Sequence, residues 1–501
     1  MEINFENKVV STYREISHQL KRVQESAEAV VPDTNDDIGR IASVQTSVAL
    51  KSKDVTARGV TVTGEASAML LYITEKESAV SFVRVTKSFS MDHETGDLGA
   101  DTIAQINLQA ANAEAKVLNP RKVSVTIEIA GELCCYSPET LIVETAIPEG
   151  SARGALHAKY ETAEAVIANA VCEKTFAVNE QYSFPTGKPA PSQLVFQNAD
   201  FCIAETQHIG SKIIIKGSIN IALCYLSADV NYPVRTEFSS PFSQIIDTGE
   251  ENMDSCTAMI EMTSAYYELI DTINGEKALG AELHAVLQIV SRCKRKLSYI
   301  SDVYSNMMPS RCSIQSSQTS TVSEMLRAKL SADERVSIAD DCADVLSVFS
   351  SISQLTALEG KLAAAVTLDI IYRTKSGGLS SARRMISLDG DCLPAPSRLL
   401  GSRLSDVYLR PDGAFIDCHI AVEASYLSSV SMELSRVMSV ALDEENAYDT
   451  TKFPTVTLVR VDNETLWELA KKYHSSIEGI SALNQPAEEP EAGLLLIPKE
   501  I

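Results

Sequence analysis

Hydrophobic and polar residues alternate along three similar segments of the chain, residues 59–72, 212–225 and 358–372. Each segment ends in a tyrosine, and aligning the tyrosines brings the three patterns into register. A period of two with one apolar face predicts a half-buried antiparallel strand. The aligned apolar positions are Val60, Val62, Ala66, Ala68, Leu70 and Tyr72; Ile213, Ile215, Ile219, Ile221, Leu223 and Tyr225; and Leu362, Val366, Leu368, Ile370 and Tyr372.

Glycines and aromatic residues recur at matching positions in these segments. Gly64 and Gly217 lie in mid-strand, where a glycine indicates a β-bulge or the close approach of another backbone. The third segment has Ala364 at that position. Phe89 and Phe242 follow their tyrosines at the same separation. The sequence therefore predicts three related β-rich units.

Each unit is also predicted to end in a β-hairpin. The turn signals are Asn119-Pro120, Asn274-Gly275 and Pro411-Asp412-Gly413, and strand-like sequence flanks each of them. Glycine, proline, asparagine and aspartate favour tight turns because they supply the backbone angles that such turns require.

The repeats place the three units at residues 1–150, 151–315 and 316–445. An acidic stretch and a proline indicate a linker at 446–455, and a small domain follows at 456–501. The predicted fold class is therefore mainly β, with three antiparallel β-rich units before a small C-terminal domain.

The segment Ser310 to Ser323 is rich in serine, threonine and glutamine and is interpreted as a loop between the second and third units. An alternative is that each duplicated unit contains its own catalytic pocket. The positions that the units share are apolar, glycine or tyrosine, which are not catalytic residue types, so a structural array is favoured.

The three units resemble the SPOCS family, whose domains occur in proteins that assemble the spore envelope of endospore-forming bacteria. The strands that contain Gly64 with Tyr72 and Gly217 with Tyr225 carry the resemblance, together with the segment Glu180 to Pro189. The third unit departs from the family pattern because Ala364 replaces the glycine.

The C-terminal domain has a local pattern of strand, helix, helix and strand. Val456 to Val461 is short and rich in β-branched residues, which predicts a strand, and Leu494 to Ile497 predicts a second strand. Thr465 and Glu468 form a T-x-x-E capping box, so a helix should begin at Leu466. Its apolar stripe comprises Leu466, Leu469, Ala470 and Tyr473.

A second capping box, Ser475 with Glu478, predicts a second helix that Pro486 ends. Its inward-facing residues should be Ile477, Ile480 and Leu483.

This domain resembles the LysM family over its whole length. The resemblance rests on the residues E-T-L-W at the helix start, A-K-K-Y at its end, the I-x-x-I-x-x-L-N helix and the final L-x-I-P. The family usually has Gly-Asp-Thr where this chain has Asn463-Glu464-Thr465. Asparagine is the next best residue for a left-handed backbone, so we expect the turn to persist.

The LysM resemblance implies a shallow groove that binds N-acetylglucosamine glycans. Matched by position, one wall contains Asn463, Glu464, Thr465 and Leu466, and the other contains Asn484, Gln485 and Pro486. Several of these residues have a simpler explanation, since Thr465 caps a helix, and Asn484 and Pro486 end one. Trp467 is predicted to lie in the domain core, because it sits in the first helical turn.

The formal net charge of −23 argues against partners with phosphate backbones and against anionic membrane surfaces. Residues 1–21 contain no apolar segment typical of a signal peptide, and no window approaches the roughly 18 apolar residues of a membrane span. Eleven cysteines without a C-x-x-C motif favour free thiols in a reducing compartment. We therefore expect a cytoplasmic protein that binds no nucleic acid and does not insert into membranes.

Recognisable catalytic chemistry is absent from the sequence. It contains no G-x-x-x-x-G-K-[ST], G-x-S-x-G or H-E-x-x-H motif, and its seven histidines lack metal-ligand spacing. We therefore expect no enzymatic activity, no cofactor and no metal.

The combination of SPOCS-like units with a terminal LysM domain resembles the spore-coat morphogenetic proteins of anaerobic spore formers. The resemblance implies a scaffold in the mother-cell cytoplasm that docks through LysM onto the coat-basement ATPase at the forespore surface. The alternative is a protein that binds N-acetylglucosamine glycans of peptidoglycan or cortex. An enzyme that LysM targets to its substrate is the least favoured of the three.

Overall fold

The computed structural model describes residues 1–76, 79–96, 98–148, 151, 156–322, 325–452, 454–461, 463–484 and 493–499. Strands contain most of these residues, so the prediction of a mainly β protein is confirmed. No helix in these ranges is long and apolar enough to cross a membrane.

The strands before the C-terminal domain vary greatly in length, and their bounds follow. They are β1 (Glu2–Asn4), β2 (Glu6–Val30), β3 (Ile38–Thr56), β4 (Gly59–Thr74), β5 (Val80–Glu94), β6 (Ile103–Asn119), β7 (Lys122–Ala146), β8 (Leu156–Ser183), β9 (Gln193–Ile209), β10 (Lys212–Leu226), β11 (Val234–Asp247), β12 (Ser255–Asp271), β13 (Lys277–Ser305), β14 (Ser310–Val322), β15 (Leu326–Ser337), β16 (Cys342–Leu358), β17 (Lys361–Thr374), β18 (Leu379–Asp391), β19 (Arg398–Asp412), β20 (Phe415–Leu427) and β21 (Ser429–Leu442).

Most of these strands form three sets that share one connection order. Strands β3-β4-β5, β9-β10-β11 and β16-β17-β18 form three-stranded meanders. The flanking strands form a second layer in the order β6-β7-β2, β12-β13-β8 and β19-β20-β15. The two layers of each set enclose their own apolar core. We call these sets the first, second and third sandwich.

The three segments with alternating polarity are the central strands of the meanders, β4, β10 and β17. Every position predicted for their apolar faces is buried, and Tyr72, Tyr225 and Tyr372 are fully buried. The Tyr72 hydroxyl donates to the carbonyl of Asp36 at 3.1 Å, and the Tyr225 hydroxyl donates to the carbonyl of Pro189 at 2.9 Å. Burial of the apolar faces therefore confirms the period-two prediction.

The mid-strand glycines allow a close approach, as predicted. Gly64 lies opposite Phe89, and Gly217 lies opposite Phe242. A Cβ atom on Gly64 would lie 2.4 Å from a ring carbon of Phe89, and one on Gly217 would lie 2.0 Å from the carbonyl oxygen of Cys202. The register between β9 and β10 also shifts at Gly217, which is the signature of a bulge.

The three predicted hairpins are present. They join β6 to β7, β12 to β13, and β19 to β20, and each is antiparallel. Gly275 and Gly413 have φ angles of 78° and 62°, which lie in the left-handed region. Glycine occupies those angles without a Cβ penalty, so the turn signals identified the positions correctly.

The interpretation of Ser310 to Ser323 as a loop is wrong for the residues that the structure describes. Residues 310–322 form strand β14, which pairs antiparallel with β21, while residue 323 lies outside the described ranges. A polar strand forms there because its backbone groups bond to β21, which requires no apolar side chains. The predicted unit boundary at 315/316 therefore falls inside a strand.

Strands β1, β21 and β14 form one sheet, which brings the start of the chain beside β21. The amino group of Met1 donates to the carbonyl of Leu442 at 2.8 Å. Strands β2 and β8 join the second layers of the first and second sandwiches into one six-stranded sheet.

The three meanders meet in a shared apolar cluster. Leu71, Cys224 and Ile371, each the residue before an aligned tyrosine, are buried together there. Because neighbouring residues of a strand point to opposite faces, the tyrosine fills its own sandwich and the preceding residue fills the shared cluster. The central strands therefore hold the three sandwiches against one another.

Candidate functional site

The predicted binding groove lies in the C-terminal segment, which contains β22 (Val456–Val461), α1 (Leu466–Lys472), α2 (Ile477–Asn484) and β23 (Gly493–Pro498). A short 3₁₀ helix, Thr450–Lys452, precedes it. Strands β22 and β23 pair antiparallel, and their inner residues pack against α1 and α2. We call residues 456–499 the tail.

The start of α1 matches its prediction. The Oγ1 of Thr465 accepts a hydrogen bond from the backbone N–H of Glu468 at 3.3 Å, and the Glu468 carboxylate accepts one from the backbone N–H of Thr465 at 2.8 Å. This reciprocal pair is a capping box, and the helix begins at Leu466. Asn463 has a φ of 63°, which confirms that it supports the left-handed turn.

The second capping box is wrong by one residue. The Oγ of Ser476, not Ser475, accepts a hydrogen bond from the N–H of Gly479 at 2.9 Å, and α2 begins at Ile477. Adjacent serines make both positions possible from sequence. Ser475 is instead fully buried, and its carbonyl oxygen accepts a hydrogen bond from the hydroxyl of Tyr304 at 2.7 Å.

Leu483 was predicted to face inward but is 46% exposed. Asn484 turns toward β23, since its Nδ2 donates to the carbonyl of Leu496 at 2.6 Å and its Oδ1 accepts from the Leu496 N–H at 2.7 Å. One helical residue corresponds to a rotation of about 100°. The contact made by Asn484 therefore turns Leu483 toward solvent.

The described residues of the predicted groove take up different roles. Asn463 is exposed, and Leu466 is half-buried against the tail core. The carboxylate of Glu464 pairs with Nζ of Lys472 at 2.7 Å. The side chains of Thr465 and Asn484 bind backbone groups of the tail itself. Gln485 and Pro486 lie outside the described residues.

Trp467 does more than fill the tail core, because it joins the tail to β13. Its indole Nε1 donates to the carboxylate of Asp302 at 2.8 Å, and Nζ of Lys471 contacts the same carboxylate at 2.7 Å. The rings of Trp467 and Tyr304 meet edge to face, with centroids 4.9 Å apart. This side of α1 is therefore occupied by the second sandwich.

The outer face of the β22–β23 ribbon is apolar and exposed. Leu458 lies directly opposite Leu496 in the ladder, and Leu494 lies opposite Arg460. The exposed large apolar residues of this ribbon are Val456, Leu458, Leu494 and Leu496. We call these four residues the ribbon patch. The sequence could have predicted this patch, because both faces of the strand Val456 to Val461 carry apolar residues and a two-stranded ribbon buries only one face.

A second candidate site is a cavity of about 1300 Å³ between the three sandwiches. Eight strands at the edges of their sheets contribute to its wall: β3, β6, β9, β11, β12, β16, β18 and β19. Uncharged polar side chains are frequent on its wall, including Gln45, Asn107, Asn198, Ser239, Thr367 and Ser405. Its volume exceeds the roughly 300–1,000 Å³ of most small-molecule pockets.

Side chains from the second sandwich form hydrogen bonds with backbone groups on the unpaired edge of β6, beside this cavity. Gln288 accepts a hydrogen bond from the N–H of Ile106 at 2.8 Å and donates to its carbonyl oxygen at 2.7 Å. Glu261 accepts one from the N–H of Leu108 at 3.1 Å. Burial raises the pKa of Glu261 to about 8, because it disfavours the charged carboxylate more than the hydrogen bond from Leu108 favours it.

Within the described ranges, one group of side chains could hold a metal ion: His18, Glu132 and Cys134 of the first sandwich. Sequence spacing could not reveal it, since His18 and Glu132 are 114 residues apart and meet only through strand pairing.

No protein-family model, curated protein or solved structure matches the chain. The resemblances stated from the sequence therefore rest on its own residues.

Proposed function

We propose that the chain is a non-enzymatic scaffold of spore-coat assembly. Its LysM-type tail would dock onto the coat-basement morphogenetic ATPase at the forespore surface, on the mother-cell side. In this proposal, the three sandwiches would be the SPOCS-like units and the tail would be a small βααβ LysM domain. The motif at Thr465 to Tyr473 and the repeated strand order support this proposal.

The ribbon patch is the observation that favours a protein partner over a sugar. Protein interfaces place apolar side chains at their centre and charged groups at the rim. The ribbon offers Leu458 beside Leu496, with the exposed Arg460 next to them. A partner that matches this surface would have an apolar anchor flanked by carboxylates.

The fixed attachment of the tail also suits a scaffold. Asp302 and Tyr304 hold the α1 side of the tail against β13, so the tail has a defined orientation on the second sandwich. A partner bound to the ribbon patch would therefore be placed at a defined position relative to all three sandwiches.

The alternative function is binding of N-acetylglucosamine glycans from peptidoglycan or cortex through the groove that contains Asn463. The left-handed Asn463 preserves the turn that normally shapes this groove, which is the observation in its favour. Against it, the amide of Asn484 already bonds to β23 and α2. A sugar that required this amide would compete with the fold of the tail.

The test is capture of the purified ATPase by the full-length chain, measured by surface plasmon resonance. Leu458→Glu places a charge in the ribbon patch, and Leu358→Glu is the matched control on an exposed leucine of β16. We expect Leu458→Glu to weaken binding by about tenfold or more, which corresponds to about 1.4 kcal/mol. Leu358→Glu should bind like the wild type.

Failure of the wild-type chain to bind the ATPase would contradict the docking proposal. Equal weakening by both variants would show that the ribbon patch is not the contact surface. Co-sedimentation with purified sacculi tests the alternative, and sedimentation of the wild type without ATPase binding would move the function to glycan recognition.

A further inference from the structure

Three side chains with different metal-binding atoms meet on one face of the first sandwich. Strands β2 and β7 are antiparallel, and His18 lies directly opposite Cys134 in their ladder. Glu132 precedes Cys134 by two residues, so it points to the same face of β7. The Nε2 of His18 lies 2.7 Å from Oε1 of Glu132, and all three ligand atoms lie within 4.8 Å of one another.

We propose that His18, Glu132 and Cys134 form a binding site for Zn²⁺. Imidazole nitrogen, carboxylate oxygen and thiolate sulfur are the three ligand types that zinc uses in proteins. Zinc bonds of about 2.0–2.3 Å in tetrahedral geometry separate the ligand atoms by about 3.3–3.7 Å. The 2.7 Å between Nε2 of His18 and Oε1 of Glu132 is shorter than this range, so the imidazole and the carboxylate would move apart to admit an ion.

The three side chains differ in burial, from the exposed His18 to the buried Cys134, so an ion could reach the site from the side of His18. The His18 side chain is 39% exposed, the Glu132 side chain is 17% exposed, and Cys134 is 1% exposed. The thiol therefore lies at the bottom of the site and the imidazole at its mouth. The imidazole would therefore meet an ion that enters from solvent, and water would occupy the fourth position.

Neighbouring groups orient the carboxylate, as the outer contacts of metal ligands commonly do. Nε of Arg398 lies 3.3 Å from Oε1 of Glu132. The same guanidinium reaches Glu15 at 3.4 Å, and the hydroxyl of Tyr136 donates to Glu15 at 3.1 Å. Arg398 belongs to the third sandwich, so the site lies where the first and third sandwiches meet.

The positive charge of Arg398 limits the affinity of the site for a cation. The guanidinium shares the oxygen of Glu132 that faces His18, so an ion must use the other carboxylate oxygen or displace this contact. We therefore infer a site that favours zinc over Mg²⁺ or Ca²⁺. A thiolate sulfur binds zinc well, whereas Mg²⁺ and Ca²⁺ prefer sets of oxygen ligands, and this cluster supplies only one carboxylate.

The experiment measures Zn²⁺ retained by the purified full-length chain after dialysis, and the absorption spectrum after Co²⁺ replaces it. Bound cobalt reports a sulfur ligand through thiolate-to-metal charge transfer. Cys134→Ser and His18→Ala remove ligands, whereas Cys135→Ser changes the neighbouring thiol, which packs in the core of the first sandwich instead. His284→Ala removes a comparable exposed His–Glu pair, whose nitrogen and oxygen are 2.9 Å apart.

We expect the wild type to retain Zn²⁺ and to show the charge-transfer band with Co²⁺. Cys134→Ser should abolish the band, His18→Ala should weaken retention at least several-fold, and both controls should behave like the wild type. His18 is a surface residue, so His18→Ala keeps the test informative even if Cys134→Ser fails to fold. Absence of Zn²⁺ from the wild type, or retention that neither ligand variant reduces, would overturn the proposal.

Discussion

The indole Nε1 of Trp467 donates a hydrogen bond to the Asp302 carboxylate, although 165 residues separate them in the chain. Lys471, one helical turn after Trp467, contacts the same carboxylate at 2.7 Å. Because Trp467 is the only tryptophan of the chain, its fluorescence reports directly on this junction.

Replacing Asp302 with alanine should release the tail from β13. The change removes the acceptor for Trp467 and the partner of Lys471, and hydrogen bonds to a charged group contribute about 1.5–3 kcal/mol each. We expect the emission of Trp467 to shift to longer wavelength and the tail to become more sensitive to proteolysis. Fluorescence spectra of the folded protein measure the wavelength of the Trp467 emission maximum, and limited proteolysis measures how readily the tail is cleaved.

Asp271→Ala is the control for this change. Asp271 pairs with Lys277 across the β12–β13 hairpin, at the opposite end of β13 from Asp302. Its removal should leave the Trp467 emission unchanged. An unchanged spectrum in Asp302→Ala would show that the junction does not position the tail in solution.

Local patterns predicted the elements that local physics controls. The alternation around Tyr72 and Tyr225 identified the central strands, because one face of each lies against a core. The capping box at Thr465 identified the start of α1, because the residues that satisfy its first N–H groups are adjacent in sequence. The left-handed backbone of Asn463 was predictable because asparagine tolerates that conformation better than most residues.

Contacts between distant segments could not be predicted in this way. The pairing of Met1 with Leu442 and of Trp467 with Asp302 depends on the relative placement of whole sandwiches. Strand β14 was missed because its side chains are polar, while its stability comes from backbone bonds to β21. In the predicted groove, the left-handed turn at Asn463 and the helix cap at Thr465 depend on neighbouring residues and could therefore be predicted from the sequence.

The buried tyrosine hydroxyls offer a test of how the meanders are held. Tyr225→Phe removes the hydrogen bond to the carbonyl of Pro189 but keeps the ring in the core. We expect the free energy of unfolding to fall by about 1 kcal/mol, with a larger loss of about 3–5 kcal/mol for Tyr225→Ala because it also leaves a cavity. Urea titrations followed by circular dichroism measure both changes.

Tyr408→Phe is the matched control, since Tyr408 is 61% exposed on β19. It should unfold at the same urea concentration as the wild type. If Tyr225→Phe also matched the wild type, the Tyr225 hydroxyl would contribute nothing to stability.

Gly217→Ala tests the close approach between β10 and β9. The added Cβ would lie 2.0 Å from the carbonyl oxygen of Cys202, and a backbone atom cannot rotate away. Overpacking of this kind costs about 1–3 kcal/mol. Thermal unfolding should therefore begin at a lower temperature in the variant than in the wild type.

Gly99→Ala serves as the comparison, because among the residues that the structure describes the nearest atom to its added Cβ would be Oγ1 of Thr102, at 3.9 Å. This variant should unfold like the wild type or slightly later. Equal melting temperatures for the two variants would refute the steric role of Gly217.

The buried carboxyl of Glu261 should make stability depend on pH. Burial raises its pKa from 4.5 to about 8 in the folded chain, so the folded state retains a proton that the unfolded state releases. Stability from this group is therefore full below pH 4.5 and declines as pH rises from there through 8, by at most about 1.4 kcal/mol per pH unit.

Glu261→Gln keeps an acceptor for the N–H of Leu108 without a charge to bury. The variant should match the wild type near pH 4.5 and exceed its unfolding free energy at pH 8. Glu268→Gln, an exposed change on the same strand, should differ from the wild type at neither pH. Urea titrations at the two pH values measure these differences. A Glu261→Gln variant that gains nothing at pH 8 would mean that the folded chain accommodates the ionised carboxylate, for example through water in the adjoining cavity.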